Sequence, residues 1–208
     1  MKRIAYLLLL TVILWLGGSR QSLAQDHKLR IGFTLAPTFN ISQGILQVQS
    51  PAAVLDSLKH TPMGWKGGVT ADYMLGTHSM IHLGLNLHAK QYRWGTALEN
   101  VEVTTIEMPL GYKWEAGLGR LLRMYLFGGG AAEYNLQAQL QDLTDLTPEL
   151  NKITYSAVLS TGASLSLGFG YFKVGASYFL GLNELLRDPS LPLVNPDHLS
   201  IDIGFSFN

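Results

Sequence analysis

The sequence predicts an all-β fold: a single eight-stranded antiparallel up-and-down transmembrane β-barrel behind an N-terminal signal peptide. Three observations lead there. Apolar and polar residues alternate in segment after segment, short connections alternate with long ones, and only 14% of the 208 residues are charged. A typical soluble domain carries about 25% charged residues, so little of this chain suits a water-facing surface. Successive strand side chains point to opposite faces, which lets the alternation assign every residue to a side. The clearest case is Ile81 to Lys90, where Ile81, Leu83, Leu85, Leu87 and Ala89 share one face and His82, Gly84, Asn86, His88 and Lys90 the other.

The first residues read as an export signal spanning 1–24. Lys2 and Arg3 form a positive start, Ile4 to Leu16 an apolar middle, and Ser22-Leu23-Ala24 a small-residue cleavage site. The apolar run is shorter than the ~20 residues a spanning helix needs, which argues against a retained anchor. The mature chain, about residues 26 to 208, then forms one barrel domain. It has no Cys, so neither a disulfide nor a lipid-attached cysteine is available. Past the signal no apolar run is long enough for a spanning helix, and membrane crossing falls to strands. Zero formal net charge and the absence of a Lys/Arg run give nothing that would attract nucleic acid.

Eight strands are expected. The first, about Lys28 to Ala36, sets Leu29, Ile31, Phe33 and Leu35 against Arg30, Gly32 and Thr34. The second, Trp65 to Leu75, opposes Val69, Ala71 and Tyr73 to Lys66, Thr70 and Asp72. The third extends Ile81 to Lys90 towards Trp94, and the fourth, about Val103 to Glu115, opposes Ile106, Met108, Leu110, Tyr112 and Trp114 to Glu107, Gly111, Lys113 and Glu115. The fifth, Met124 to Gln137, is Gly-rich with less clean faces, and carries Glu133. The sixth, Tyr155 to Leu167, and the seventh, Tyr171 to Leu182, turn Ser160, Ser164, Lys173 and Ser177 away from an apolar side. The last, His198 to Asn208, opposes Leu199, Ile201, Ile203, Phe205 and Phe207 to Ser200, Asp202 and Ser206.

Short connections are expected at 76–78, 116–120 and 168–170, and longer ones at 37–64, 95–101, 138–154 and 183–197. That asymmetry is the habit of outer-membrane barrels, with short periplasmic turns and long external loops. Residues 51–60 and 140–150 could hold helical turns. A soluble barrel would alternate as well, but with a Lys/Glu-rich outside. Here the polar face is mostly Gly, Ser, Thr and Asn with isolated charges, which suits the narrow interior of eight strands. Lipid offers no hydrogen-bond partners, so the apolar face belongs outside a closed sheet. Trp65, Trp94, Trp114, Tyr134, Tyr155, Tyr171 and Phe207 lie near strand ends and fit interfacial girdles.

The segments Ile106-Glu107-Met108-Pro109-Leu110-Gly111-Tyr112-Lys113, Tyr125-Leu126-Phe127-Gly128-Gly129-Gly130, Tyr178-Phe179-Leu180-Gly181-Leu182-Asn183-Glu184 and Ile201-Asp202-Ile203-Gly204-Phe205-Ser206-Phe207 occur in an order that resembles the PorT-like outer-membrane β-barrel family of the Bacteroidota. The resemblance runs over nearly the whole mature chain. It implies an outer-membrane barrel of about eight strands with no catalytic motif to transfer. Many such barrels end in an aromatic residue, whereas here Asn208 follows Phe207.

The residues expected to line the lumen are Lys66, Asp72, His82, Asn86, His88, Lys90, Glu107, Lys113, Glu133, Lys173 and Asp202, with Glu115 on the same face. Unpaired charge in a narrow interior is costly, so cross-strand ion pairs should fill it. His82 and His88 stand six positions apart, ~20 Å along a strand, and cannot share an ion. Hydrogen-bonded lumen histidines are expected, with no metal and no cofactor. No Gly-x-Ser-x-Gly elbow occurs and no helix follows the glycine runs, so no enzyme is expected. The expected role is structural or interactive, through long extracellular loops such as 37–64 and 183–197. A passive pore for small solutes is the alternative, and a lipid-active barrel enzyme the third reading. The partners would be outer-membrane lipid, the barrel-assembly machinery during insertion, and an unidentified protein or ligand at the loops. Export would take the chain to the outer membrane of a Gram-negative cell.

Overall fold

The structure, a computed structural model, describes residues 28–40, 63–94, 99–119, 121–140, 151–185 and 197–207. These form eight strands: β1 (Leu29–Asn40), β2 (Met63–Met74), β3 (Ser79–Trp94), β4 (Glu99–Leu118), β5 (Leu122–Leu140), β6 (Ile153–Ser166), β7 (Gly170–Gly181) and β8 (His198–Phe207). Each pairs antiparallel with its neighbours in sequence, and β8 pairs with β1, closing the barrel. Among the described residues no helix is long and apolar enough to cross a membrane.

Burial is inverted relative to a soluble protein. Leu35, Leu85 and Leu159 are 60%, 50% and 60% exposed, while Lys90, Glu107 and Glu133 are each 0% exposed. Lys and Glu are almost never fully buried unless paired, and soluble monomers rarely expose a broad apolar patch. Here exposed Leu, Val, Ile, Phe and Met side chains run round all eight strands. Hydrocarbon outside explains both halves of the pattern. Trp65, Tyr134 and Tyr155 stand outward towards the long-loop end, and Trp114 towards the other, as girdles require. The Tyr171 side chain departs from that expectation. It is 6% exposed and points inward, because it shares the parity of Lys173 rather than that of Phe172.

Both ends of the barrel chain and the connections 75–78, 119–121 and 167–169 lie at one end of the barrel. Gly119 and Gly168 take φ of 92° and 82° in two of these turns, a region that side-chain-bearing residues rarely adopt. The opposite end carries connections 41–62, 95–98, 141–152 and 182–197. One of these is much shorter than expected, because β3 runs to Trp94 and β4 begins at Glu99. The expected loop 37–64 contracts similarly, as β1 continues to Asn40 and β2 starts at Met63. The helical turns considered at 51–60 and 140–150 fall essentially outside the described residues, as does the Trp94 side chain. Strands β4 and β5, at 20 and 19 residues, exceed the roughly 9–11 that cross a bilayer and extend the wall past it.

Two prolines interrupt the ladder inside the wall. The β3–β4 register passes from Leu83↔Leu110 to Asn86↔Glu107, skipping Met108 and Pro109. The β1–β8 register passes from Leu35↔Ile203 to Thr38↔Ser200, skipping Ala36 and Pro37. A proline has no N–H to donate, which is why such positions are confined to edges and irregularities. Gly84 makes room for the Pro109 ring, since a Cβ there would stand 2.8 Å from Pro109 Cγ. The wall registers elsewhere are continuous apart from one shift between Thr104 and Thr105 against β5.

The outward Leu85 lies in the middle of β3 and Leu118 at the short-turn end of β4. Leu85→Arg should cost about 2–4 kcal/mol and Leu118→Arg only about 0–1 kcal/mol, the depth dependence of a charge facing lipid. Reversible denaturant unfolding in liposomes measures both, and equal costs would contradict this placement in the bilayer.

Candidate functional site: the barrel lumen

Period-two alternation delivers one polar or charged group from each strand to the interior, and the closed sheet brings these groups together in layers. At the short-turn end Glu115 Oε2 accepts from Arg30 Nη1 at 2.9 Å and from Arg123 Nη1 at 3.4 Å, while Oε1 accepts from Ser164 Oγ at 2.9 Å. Both guanidinium groups lie against the Tyr171 ring, 4.4 and 5.0 Å from its centroid. The inward turn of Tyr171 therefore completes a cation–π layer.

The middle of the lumen is organised by Asp72. Its Oδ2 accepts from Lys113 Nζ at 3.0 Å and Lys173 Nζ at 2.8 Å, and its Oδ1 is 2.6 Å from His82 Nδ1. Lys113 also stands over the Tyr125 ring at 4.9 Å. The Tyr125 phenol fits against β6 and β7 because Gly162 and Gly175 have no side chain to occupy that space. Opposite, Asp202 accepts from Ser177 and Ser200 and lies 3.5 Å from Lys66 Nζ.

Towards the long-loop end the central group is Glu107. Its Oε1 accepts from Asn86 Nδ2 at 3.0 Å and has Lys66 Nζ at 3.6 Å. Its Oε2 faces His88 Nδ1 at 3.3 Å and His198 Nε2 at 3.4 Å. His88 Nε2 is 3.0 Å from Thr38 Oγ1. Above this, Glu133 Oε2 accepts from Lys90 and from Thr154 Oγ1 at 3.3 Å. An apolar cluster of Phe127, Ala131, Val158 and Phe179 also lies inside the barrel. The Phe179 ring stacks on His198 at 4.1 Å and lies 4.2 Å below Lys66 Nζ. Thus the lumen is not purely polar.

The eleven positions read from the sequence fall into these contacts, but not into one site. Asp72, His82, Lys113 and Lys173 meet at one level. Lys66 bridges Asp202 and Glu107, which also gathers Asn86 and His88. Lys90 and Glu133 pair separately. Sequence reasoning left out Arg123, Tyr125, Phe127, Phe179 and His198. Parity could have found His198 and Phe179, which alternate in step with Ser200 and Ser177, but an aromatic residue in a polar register was not expected. A cavity of about 90 Å³ remains beside the middle layer, lined in part by Lys66, His82, Asn86, Lys113, Lys173 and Asp202. It has room for a few waters.

A closed antiparallel sheet with an apolar exterior and a charge-paired interior defines a transmembrane β-barrel. The chain belongs to the outer membrane protein beta-barrel domain family, which it matches over residues 21–187, and it resides in the outer membrane. Neisserial surface protein A has a similar fold, with a TM-score of 0.56 at 11% identity over 87% of this chain and 97% of that one. The outer membrane protein OprG from Pseudomonas aeruginosa gives 0.53 at 14% identity over 88% and 99%. At such identities the likeness concerns the fold alone. A search of curated proteins returns no match.

Removing one partner of a fully buried ion pair costs about 3–5 kcal/mol, because the other charge is left uncompensated. Glu133→Gln should destabilise the barrel by that order through Lys90, and Lys90→Met combined with Glu133→Leu should recover most of it. A double-mutant cycle of unfolding free energies checks this, and additive losses would show that the two groups do not interact.

Proposed function

We propose that this chain is a PorT-like outer-membrane barrel whose filled lumen is its structural core and whose interactions are made by connections outside the cell. The observation that carries this reading is the charge pairing of the interior. Asp72, Glu107, Glu115, Glu133 and Asp202 each face at least one Lys or Arg across the lumen. Tyr92, Met80, Phe179, Lys90 and His88 are almost completely buried among them. Such a network resists opening, since each parted pair would leave a desolvated charge behind. The role is non-enzymatic, and insertion by the barrel-assembly machinery follows export with removal of residues 1–24, which mass spectrometry of the mature chain tests directly.

The connections 41–62, 141–152 and 182–197 share one end of the wall, opposite both ends of the barrel chain. In outer-membrane barrels the short-turn end faces the periplasm, so these connections are presented to the outside. Loops on a rigid scaffold are free to vary and to bind. Replacing residues 42–61 by a short Gly/Ser turn should leave a heat-modifiable, folded barrel while abolishing capture of a surface partner by intact cells. Unchanged capture would remove the loop from this role.

The second reading, a passive pore, draws on the cavity. Lys113 and Lys173 share the single carboxylate of Asp72, and Lys66 lines the same space. A conducting path through it would favour anions. Single-channel recording on the refolded protein separates the two: the filled-lumen reading expects no steady conductance, and stable anion-selective openings would replace it with the pore.

A further inference from the structure

We propose that His88, Glu107 and His198 form a binding site for a divalent late-transition cation of the Zn²⁺ class, holding β8 to β3 and β4 across the lumen. One ligand atom from each lies within 4.8 Å of the others, and all three residues are buried. His88 Nδ1 and His198 Nε2 approach the same oxygen, Glu107 Oε2, at 3.3 and 3.4 Å. Those separations are long for N–H···O bonds, whose mode is about 2.9–3.0 Å. They equal the spacing of about 3.3 Å between ligand atoms around a tetrahedral zinc with bonds of about 2.0–2.1 Å. The two nitrogen–oxygen edges thus match a tetrahedral ion, and the third separation lies within 4.8 Å.

The surroundings are those of a built site. The remaining carboxylate oxygen, Glu107 Oε1, is held by Asn86 and Lys66, leaving Oε2 for the ion. The second nitrogen of His88 meets Thr38 Oγ1, which fixes the ring, and Phe179 stacks flat against His198. Such outer partners orient metal-binding imidazoles. The neighbouring lysines do not forbid a cation. Lys66 and Lys90 contribute +2 and Glu107, Glu133 and Asp202 contribute −3, leaving −1 before any ion enters. Two imidazoles with one carboxylate and no thiolate suit Zn²⁺, Cu²⁺ or Ni²⁺ rather than Ca²⁺ or Mg²⁺. A water would complete the tetrahedron in the fourth position.

This clamp would differ from every ladder contact. Strand β8 pairs through its backbone with β7 and β1, whereas the ion would tie it to strands on the other side of the interior. The test uses the full mature chain, refolded in detergent without a polyhistidine tag and stripped with chelator. Zn²⁺ titration by calorimetry should give one tight site per chain. Zn²⁺ held at 100 times its Kd should raise the folded-to-unfolded ratio about 100-fold in denaturant unfolding. His88→Asn and His198→Asn should each abolish the tight site, while His78→Asn, altered at the short-turn end, should keep it. Should both lumen variants fail to fold, Co²⁺ added to the wild-type barrel decides: intense visible bands of a tetrahedral site support the proposal. Absence of a stoichiometric ion on the wild-type protein, or Zn²⁺ binding unaffected in the two Asn variants, would overturn it.

Discussion

The backbone hydrogen bond, in a medium that offers no substitute for it, is the constraint on which this structure rests. Water can satisfy the free edge of a soluble sheet, but hydrocarbon cannot. Strand β8 therefore has to return to β1, and the register Phe33↔Phe205 with Thr38↔Ser200 is where that closure is made. The inverted burial follows from it. Once the sheet is closed and lipid lies outside, the apolar half of each strand is solvated by chains like itself. The polar half is confined to a space that eight strands keep too narrow for bulk water.

The lumen is accordingly the core of this protein, though its chemistry is opposite to that of an ordinary core. Its specificity comes from matching charges rather than shapes. Glu115 collects two arginines, Asp72 two lysines and a histidine, and Glu107 two histidines and a lysine. Each carboxylate offers several acceptor sites, so one anion can fix groups from several strands at once. Aromatic rings insulate these layers. Tyr171 lies against the arginines, Tyr125 against Lys113, and Phe179 between Lys66 and His198. A desolvated cation gains more from a ring face than an exposed one does. That gain accounts for aromatic residues in registers otherwise given to serine and glycine.

The wall carries its own accommodations. Pro37 and Pro109 each withdraw a donor from the ladder, yet the strands on both sides resume pairing within a few residues. The cost is local because the closed sheet fixes the flanking registers. At the long-loop end β4 and β5 continue well beyond bilayer thickness. Beside them β3 runs to Trp94, so paired strands carry the wall past the membrane there.

Much of the fold was legible from residues alone. The period-two pattern assigned Leu85 and Ile203 to lipid and Lys90 and Asp202 to the interior because a strand has only two faces, and the sparse charge named the solvent. Sequence could not say which lumen groups meet. Strand parity is a local property, whereas partnership depends on the stagger and closure of the whole sheet. Sequence spacing shows that His82 and His88 cannot share an ion, but it names no partner for His88. His198, more than a hundred positions away, arrives beside it only because β8 closes on β1. The chemistry of Tyr171 suggests the girdle, but its parity with Lys173 turns it inward. The amino-acid order thus determined which side of the wall each residue occupies. The tertiary structure decided the contacts, because closure alone sets distances across the lumen.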